Sequence, residues 1–152
     1  MAGVASAGGY GAPFAAMSLT EGGVAYLSGG RGGWVIDNRL VIGGQGVSTD
    51  GIIGDGEGMA YGGLFIESIL APEAPIHPTI EVSAGGGYIW RGGAVTSATI
   101  TGGAARAELV VAPWMRVAAG LGYTISVPIT GPGGPWALGR PSAELLVKFG
   151  SF

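Results

Sequence analysis

The chain has 152 residues, the length of one domain, and its formal net charge is −3. Only 11% of the residues are charged and no block of like charge occurs, so the composition gives no reason to expect a nucleic-acid partner. The absence of cysteine excludes disulfides and thiolate metal sites. The chain is 47% hydrophobic, yet no run of about 18 apolar residues could form a membrane helix, and its 33 glycines and 9 prolines disfavour long helices.

Period-2 alternation of apolar and polar residues, interrupted by turn residues, predicts eight β-strands. In chain order they are residues 9–20, 23–36, 39–49, 58–71, 78–91, 98–112, 115–127 and 140–152. Most are longer than the ~5–6 residues of a typical soluble strand, whereas a tilted strand that crosses a bilayer needs about 9–11. The alternative for residues 64–71 and 104–111 is a short helix each, although Pro72 and Pro113 would truncate both helices.

Each predicted strand has one continuous apolar face and one face that mixes charges with glycine. In the seventh strand, for example, Arg116, Gly120 and Gly122 alternate with Val117 and Leu121. A soluble barrel would turn the apolar face inward, whereas a barrel in lipid turns it outward. The pattern therefore predicts an all-β protein, an eight-stranded antiparallel up-and-down transmembrane β-barrel that forms a single domain over residues 1–152.

The inward faces of these strands contain acidic and basic residues in equal number. Eight strands leave an interior just wide enough for side chains to fill it, and an unpaired charge there would be very costly. We therefore expect paired charges that plug the lumen, with Arg91 near one rim. The predicted interior charge network consists of Arg31, Glu67, Glu81, Arg106, Glu108, Arg116, Glu144 and Lys148. A narrow or gated ion path is the functional alternative.

Aromatic residues fall near both ends of the predicted strands, as in the interfacial girdles of membrane barrels. Outer-membrane barrels have short periplasmic turns and longer external loops. We therefore expect residues 49–57, 92–97 and 128–139 to be external loops and both termini to be periplasmic. The predicted aromatic belt consists of Trp34 and Trp114 at the periplasmic end and of Tyr88, Trp90 and Tyr123 at the external end.

No combination of residues in the sequence suggests a catalytic or metal site. The only histidine, His77, lies between Pro75 and Pro78, where we expect a solvated residue of a periplasmic turn. Ser97, Ser126 and Ser142 have no histidine at their own end of the barrel to activate them. We therefore expect no enzymatic activity, no cofactor and no bound metal. The enzymatic alternative is a lipid-modifying membrane protein that uses Glu67, Glu81 or His77.

The C-terminal segment, residues 143–152, alternates hydrophobic with polar residues and ends in phenylalanine. Together with the strand pattern, it resembles the small eight-stranded outer-membrane barrels of the OmpA and OmpX type. The resemblance implies residence in the bacterial outer membrane, contact with membrane lipids, and recognition by the outer-membrane assembly machinery through Val147, Phe149 and Phe152. Gly150 departs from the pattern, because a hydrophobic residue is more usual two positions before the terminus.

The stretch from Gly8 to Gly44, which includes residues 29–34, also resembles uncharacterised glycine-rich barrel-like proteins of Gram-negative bacteria. Neither resemblance implies a ligand. The function expected from the sequence is a structural, narrow-pore (porin-like) or surface-binding role. The alternative of another class is a secreted glycine-rich β protein whose apolar faces pack its copies into fibres.

Overall fold

The computed structural model describes residues 7–54, 57–91, 93–129 and 138–152. Each strand pairs with the next along the chain, and the last pairs with the first to close a barrel. The predicted eight-stranded antiparallel up-and-down barrel is confirmed. The strands are β1 (Ala7–Thr20), β2 (Gly23–Ile36), β3 (Leu40–Gly54), β4 (Gly58–Ile69), β5 (Ile76–Arg91), β6 (Ala94–Ala112), β7 (Met115–Pro128) and β8 (Leu138–Ser151). Within the described ranges, no helix is long and apolar enough to cross a membrane.

The two ends of the barrel differ, and we name them by what they hold. The terminal end holds the start of β1, the end of β8 and the turns at residues 37–39, 70–75 and 113–114. The opposite end, which holds the other four connections, is called the loop end. One terminal-end turn is built on Asp37 and Asn38, whose φ angles of 51° and 54° are the positive pair that a type I′ hairpin requires.

Several strand boundaries differ from those predicted. β3 continues to Gly54 because its last residues pair with the start of β2, and β6 begins at Ala94 because that residue pairs with Arg91. The predicted loops 49–57 and 92–97 are therefore largely strand. Residues 130–137 of the third predicted loop lie outside the described residues. The helical alternatives are wrong, since residues 64–69 belong to β4 and residues 104–111 to β6.

Successive side chains point to opposite sides of the barrel wall, as the pleat of a strand dictates. The outer wall is apolar: Leu64 and Leu121, for example, are each 71% exposed. On the inner side, Val41 and Leu146 are fully buried. This orientation is the one that a barrel surrounded by lipid needs.

The interior is not only polar, which corrects the expectation of an inner face made of charge and glycine. Three apolar clusters fill much of it. One lies around Tyr10 and Phe65 toward the terminal end, and a second surrounds Phe14 and Leu146. A third, smaller cluster contains Ile89. The interior is therefore built of both apolar clusters and buried charges.

Glycine lets the backbones of β4 and β5 lie close together where these two strands pair. Gly63 and Gly85 are direct partners, and a Cβ on Gly85 would overlap the carbonyl oxygen of Gly62. By contrast, nothing lies within 4 Å of a Cβ built on the outward Gly46. The first position therefore requires glycine for steric reasons and the second does not.

Candidate functional site: a buried charge network

The eight interior residues predicted from the sequence lie in one connected network of ion pairs. They come from six of the eight strands: Arg31 from β2, Glu67 from β4, Glu81 from β5, Arg106 and Glu108 from β6, Arg116 from β7, and Glu144 and Lys148 from β8. All of them point inward because each has the parity opposite to the exposed apolar residues of its own strand.

The part of the network toward the middle of the barrel is centred on Arg106. Its guanidinium contacts three carboxylates, with Nη1 2.8 Å from Glu81 and 3.2 Å from Glu67, and Nη2 2.7 Å from Glu144. Glu81 also accepts a hydrogen bond from Arg31. A planar guanidinium with five N–H donors suits this role, because it can serve several carboxylates at fixed angles.

The part toward the terminal end is centred on Lys148. Its Nζ lies 2.6 Å from Glu67 Oε1 and 2.5 Å from Glu108 Oε2, so it joins the two parts of the network. Glu108 also accepts a hydrogen bond of 3.0 Å from Arg116 Nη1. Seven of the eight residues thus form a continuous chain of alternating charge, and Glu144 branches from it at Arg106.

The network is removed from water. Glu67 and Glu108 are 0% exposed, and Lys148 is 1% exposed. Desolvation of one ion costs several kcal/mol, and only close pairing with good hydrogen bonds offsets it. Four carboxylates against four cations give that pairing, so the arrangement is stable as a set and intolerant of the loss of one member.

Aromatic rings close the terminal end beneath these charges. The Arg31 guanidinium carbon lies 3.8 Å from the centroid of the Phe65 ring, and that of Arg116 lies 4.0 Å from the centroid of the Phe152 ring. Phe152 also stacks on Tyr10, with 5.9 Å between ring centroids. Contact with the face of a ring stabilises a buried cation.

The three residues predicted as an assembly signal do not share one face. Val147 and Phe149 point outward, and Phe149 stacks on the outward Trp114 with 6.3 Å between ring centroids. Phe152 instead points inward, onto Tyr10 and Arg116. The recognition role of these residues stays a prediction, and only two of them are available on the outer wall.

His77 is not the solvated turn residue that the sequence suggested, because it is fully buried. β5 begins at Ile76, so His77 already belongs to the strand and has the inward parity of Glu81. Its Nε2 lies 3.2 Å from Glu108 Oε1, and its Nδ1 lies 3.0 Å from the carbonyl oxygen of Ala74. Each ring nitrogen of His77 thus faces an oxygen atom, one on the Glu108 carboxylate and one on the Ala74 backbone.

A second group of charges lies at the loop end, and the sequence analysis identified only one of its members. Glu57 and Arg140 are buried and paired with each other. Arg91, the predicted rim residue, places Nε 3.0 Å from Glu57 and Nη2 3.1 Å from Glu21. Parity could have identified the buried pair, since Glu57 has the parity of Glu67 on β4, and Arg140 has that of Lys148 on β8.

The predicted belt residues lie near the two ends of the barrel. Trp34 and Trp114 are exposed at the terminal end, and Tyr88 and Tyr123 are exposed toward the loop end. Trp90 is only partly exposed, because its indole ring covers Gly58 on the neighbouring strand. Four of the five predicted rings are therefore exposed on the outside of the barrel.

The space left inside the barrel is small. Two cavities of about 10 Å³ each lie between the network and the loop end, both bounded by Tyr61, Thr124 and Glu144. Each is about the size of one water molecule. Among the described residues, no group of three or more His, Cys, Asp or Glu could hold a metal ion. Each of these two cavities thus has room for a single water molecule.

Comparison with known proteins gives fold likeness alone. No protein-family model matches the chain. No curated protein matches its sequence. The N-terminal β-barrel domain of OprF from Pseudomonas aeruginosa is similar in structure with a TM-score of 0.65 at 13% identity, covering 93% of this chain and 96% of that one. Neisserial surface protein A is similar with a TM-score of 0.59 at 14% identity, covering 97% and 98%. The chain thus has the fold of the small eight-stranded outer-membrane barrels.

Proposed function

We propose that the chain resides in the bacterial outer membrane as a structural barrel whose interior is closed to ions. The outer-membrane barrel fold and the apolar outer wall support this location. In this proposal the wall contacts membrane lipids, and the outward Val147 and Phe149 of β8 are read by the outer-membrane assembly machinery.

The observation that carries the proposal is the burial of the charge network. If a water-filled path crossed the barrel, the charged side chains along it would be accessible to water. Glu67, Glu108 and Lys148 are at most 1% exposed, and aromatic rings lie between them and the terminal end. These facts favour a structural role over a narrow pore.

A fibre that grew by strand addition would need a free sheet edge, and β1 and β8 are paired with each other. A fibre of packed apolar faces would bury the outer wall, which in this proposal is covered by lipid instead. An enzyme that modifies lipid needs a base that can reach its substrate. Glu67, Glu81 and His77 are buried inside the barrel and hydrogen-bonded there. We therefore include the absence of catalysis in the proposal.

The test is conductance of the refolded full chain in a planar lipid bilayer. Insertion is first established by a heat-modifiable band on a denaturing gel and by protease protection in vesicles. We expect inserted protein without stepwise ion currents. Reproducible unitary currents that scale with protein dose would overturn the closed-barrel proposal and favour the narrow pore. Failure to insert at all would overturn the membrane location.

A further inference from the structure

The charged residues of the loop end come from opposite sides of the barrel. In a closed ring of eight strands, strands whose numbers differ by four face each other across the lumen. Arg140 belongs to β8, and Glu57 lies one residue before the start of β4. The ion pair between these two side chains therefore spans the opening of the lumen at the loop end.

A second ion pair crosses the same opening in another direction. Arg91 is the last residue of β5, and Glu21 lies in the turn between β1 and β2, which is almost opposite to β5 in the ring. Arg91 Nη2 lies 3.1 Å from Glu21 Oε2, and Arg91 Nε lies 3.0 Å from Glu57 Oε1. The two crossing pairs are therefore joined. We call the four residues Glu21, Glu57, Arg91 and Arg140 the loop-end brace.

The two pairs of the loop-end brace differ in their exposure to water. The side chains of Arg140 and Glu57 are 3% and 1% exposed, whereas those of Arg91 and Glu21 are 52% and 72% exposed. An exposed ion pair contributes little to stability and is screened by salt, whereas a buried pair is screened much less. The buried pair is therefore the part of the brace that holds the two sides of the opening together, and the exposed pair lies on its solvent side.

The layer of the interior next to the loop-end brace contains apolar side chains. Met59 lies two residues after Glu57 and Ile89 lies two residues before Arg91, so each has the inward parity of its charged neighbour. Both apolar side chains are 3% exposed. They offer at most one weak acceptor, the Met59 sulfur, to a water molecule. Water therefore has little to hold it in this layer and enters only if the opening above is not closed.

We propose that the loop-end brace is a lid that closes the lumen at the loop end and keeps water out of the adjoining half of the interior. It acts independently of the buried charge network, since among the described residues no ion pair joins the two sets of charges. The inference rests on the proposed function, because a lid of this kind is a second closure of a barrel that the network already closes to ions. Opening of the lid hydrates the interior only as far as the network.

The test is hydroxyl-radical footprinting of the full chain refolded in lipid vesicles, with oxidation of each residue read by mass spectrometry. Radicals made in water oxidise side chains that water reaches. We expect Met59, next to the brace, and Tyr10, toward the terminal end, to be protected in the wild type. Glu57→Gln keeps the shape of the side chain but removes the charge that both arginines contact. It should raise oxidation of Met59 about ten-fold or more, as follows from the loss of a hydrogen bond between charged groups, and leave Tyr10 protected.

Asp50→Asn is the matched control, because it removes an exposed carboxylate from the loop-end part of β3 that is not in the brace. It should leave oxidation of Met59 unchanged.

A second variant tests the exposed pair without changing a buried residue. Glu21→Gln should raise oxidation of Met59 by roughly two-fold, as suits one exposed ion pair, and salt at about 1 M should have the same effect on the wild type because it screens that pair. Unprotected Met59 in the wild type would overturn the lid, as would no response of Met59 to Glu21→Gln, to salt and to Glu57→Gln. Equal increases at Met59 and Tyr10 would overturn the independence of the two closures. All three results leave the proposed function standing, whereas unitary currents from the wild type would overturn that function whatever the footprint.

Discussion

His77 Nε2 lies 3.2 Å from Glu108 Oε1, so the only histidine of the chain is joined to the carboxylate that Lys148 and Arg116 also contact. The second ring nitrogen faces the carbonyl oxygen of Ala74 in the turn before β5. This one side chain therefore connects a terminal-end turn to the interior charges.

Replacement of this histidine should loosen that connection. We expect His77→Phe to lower the free energy of unfolding by about 1.5–3 kcal/mol, because a buried hydrogen bond to a charged group is lost. Urea titration of the barrel in lipid vesicles measures the change. Glu73→Gln, an exposed residue of the turn whose Ala74 carbonyl His77 contacts, should change stability by no more than ~0.5 kcal/mol. If His77→Phe has no larger effect than this control, the ring does not stabilise the fold.

Loss of the central cation should be the most damaging change in the network. Arg106→Met leaves Glu67, Glu81 and Glu144 each with one fewer partner in the interior of the barrel, and we expect a loss of about 3–5 kcal/mol. Arg91→Met is the matched control, since Arg91 is half exposed at the rim and its pairs should contribute less than ~1 kcal/mol. Similar losses for the two variants in the same titration would show that burial does not set the strength of these pairs.

Replacement by alanine should change stability in opposite directions at a glycine that is tightly packed and at a glycine that has open space around it. Gly85→Ala forces the wall apart at Gly62 and should cost about 1–3 kcal/mol, as overpacking does. Gly46→Ala has open space and should be neutral or stabilise by up to ~1 kcal/mol, because glycine in a strand loses more conformational freedom. The measurement is the temperature at which each variant loses its folded, heat-modifiable band on a denaturing gel. If Gly46→Ala lost this band at a lower temperature than Gly85→Ala, the result would contradict the described geometry of the barrel wall.

The depth of a charge on the outer wall should determine its effect on insertion. Leu121 is outward near the middle of β7, and Leu121→Arg should cost about 2–4 kcal/mol of membrane stability. Val127→Arg, on the same face near the loop end, should cost only about 0–1 kcal/mol. Reversible folding into vesicles gives both values. Equal costs would mean that this face does not cross the hydrocarbon.

The two phenylalanines of the C-terminal segment should have different roles. Phe152→Ala removes the ring that stacks on Tyr10 and lies over Arg116, and should lower stability by about 1–3 kcal/mol. Phe149→Ala should leave stability nearly unchanged but slow assembly into the membrane. The rate of assembly is measured as the rate at which the folded, heat-modifiable band appears on a gel in the presence of purified assembly machinery. If the first variant slows assembly and the second lowers stability, the assignment of their faces to these roles is wrong.

The sequence predicted which residues enter the network, because parity alone decides the side of a strand on which a side chain lies. It could not predict which charges pair. Two of the three partners of Arg106, Glu67 on β4 and Glu144 on β8, lie on strands that do not neighbour β6, and they reach Arg106 only because the barrel is closed and staggered. The stagger of the strands in the barrel depends on the hydrogen-bond register between them. The period-2 alternation of apolar and polar residues does not determine that register.

His77 was misassigned for a related reason. The prolines on either side suggested a turn, but proline is tolerated near the first residue of a strand, and β5 begins before it. The β-bulge in β3, where Tyr26 pairs with Gly51 and Leu27 pairs with Thr49, is equally hidden from the sequence pattern, since one extra residue changes parity without leaving a compositional trace.

Many of the interior ion pairs join strands that are not neighbours in the sheet. Arg31 on β2 pairs with Glu81 on β5, and Glu67 on β4 pairs with Lys148 on β8. Such pairs form only when the strands have curled into a closed ring, so a half-formed sheet in the bilayer would leave these charges without partners. The free energy of partly formed barrels is therefore higher than the missing backbone hydrogen bonds alone would make it. Closure should be a single cooperative event, in which neutralisation of the interior marks the completed barrel.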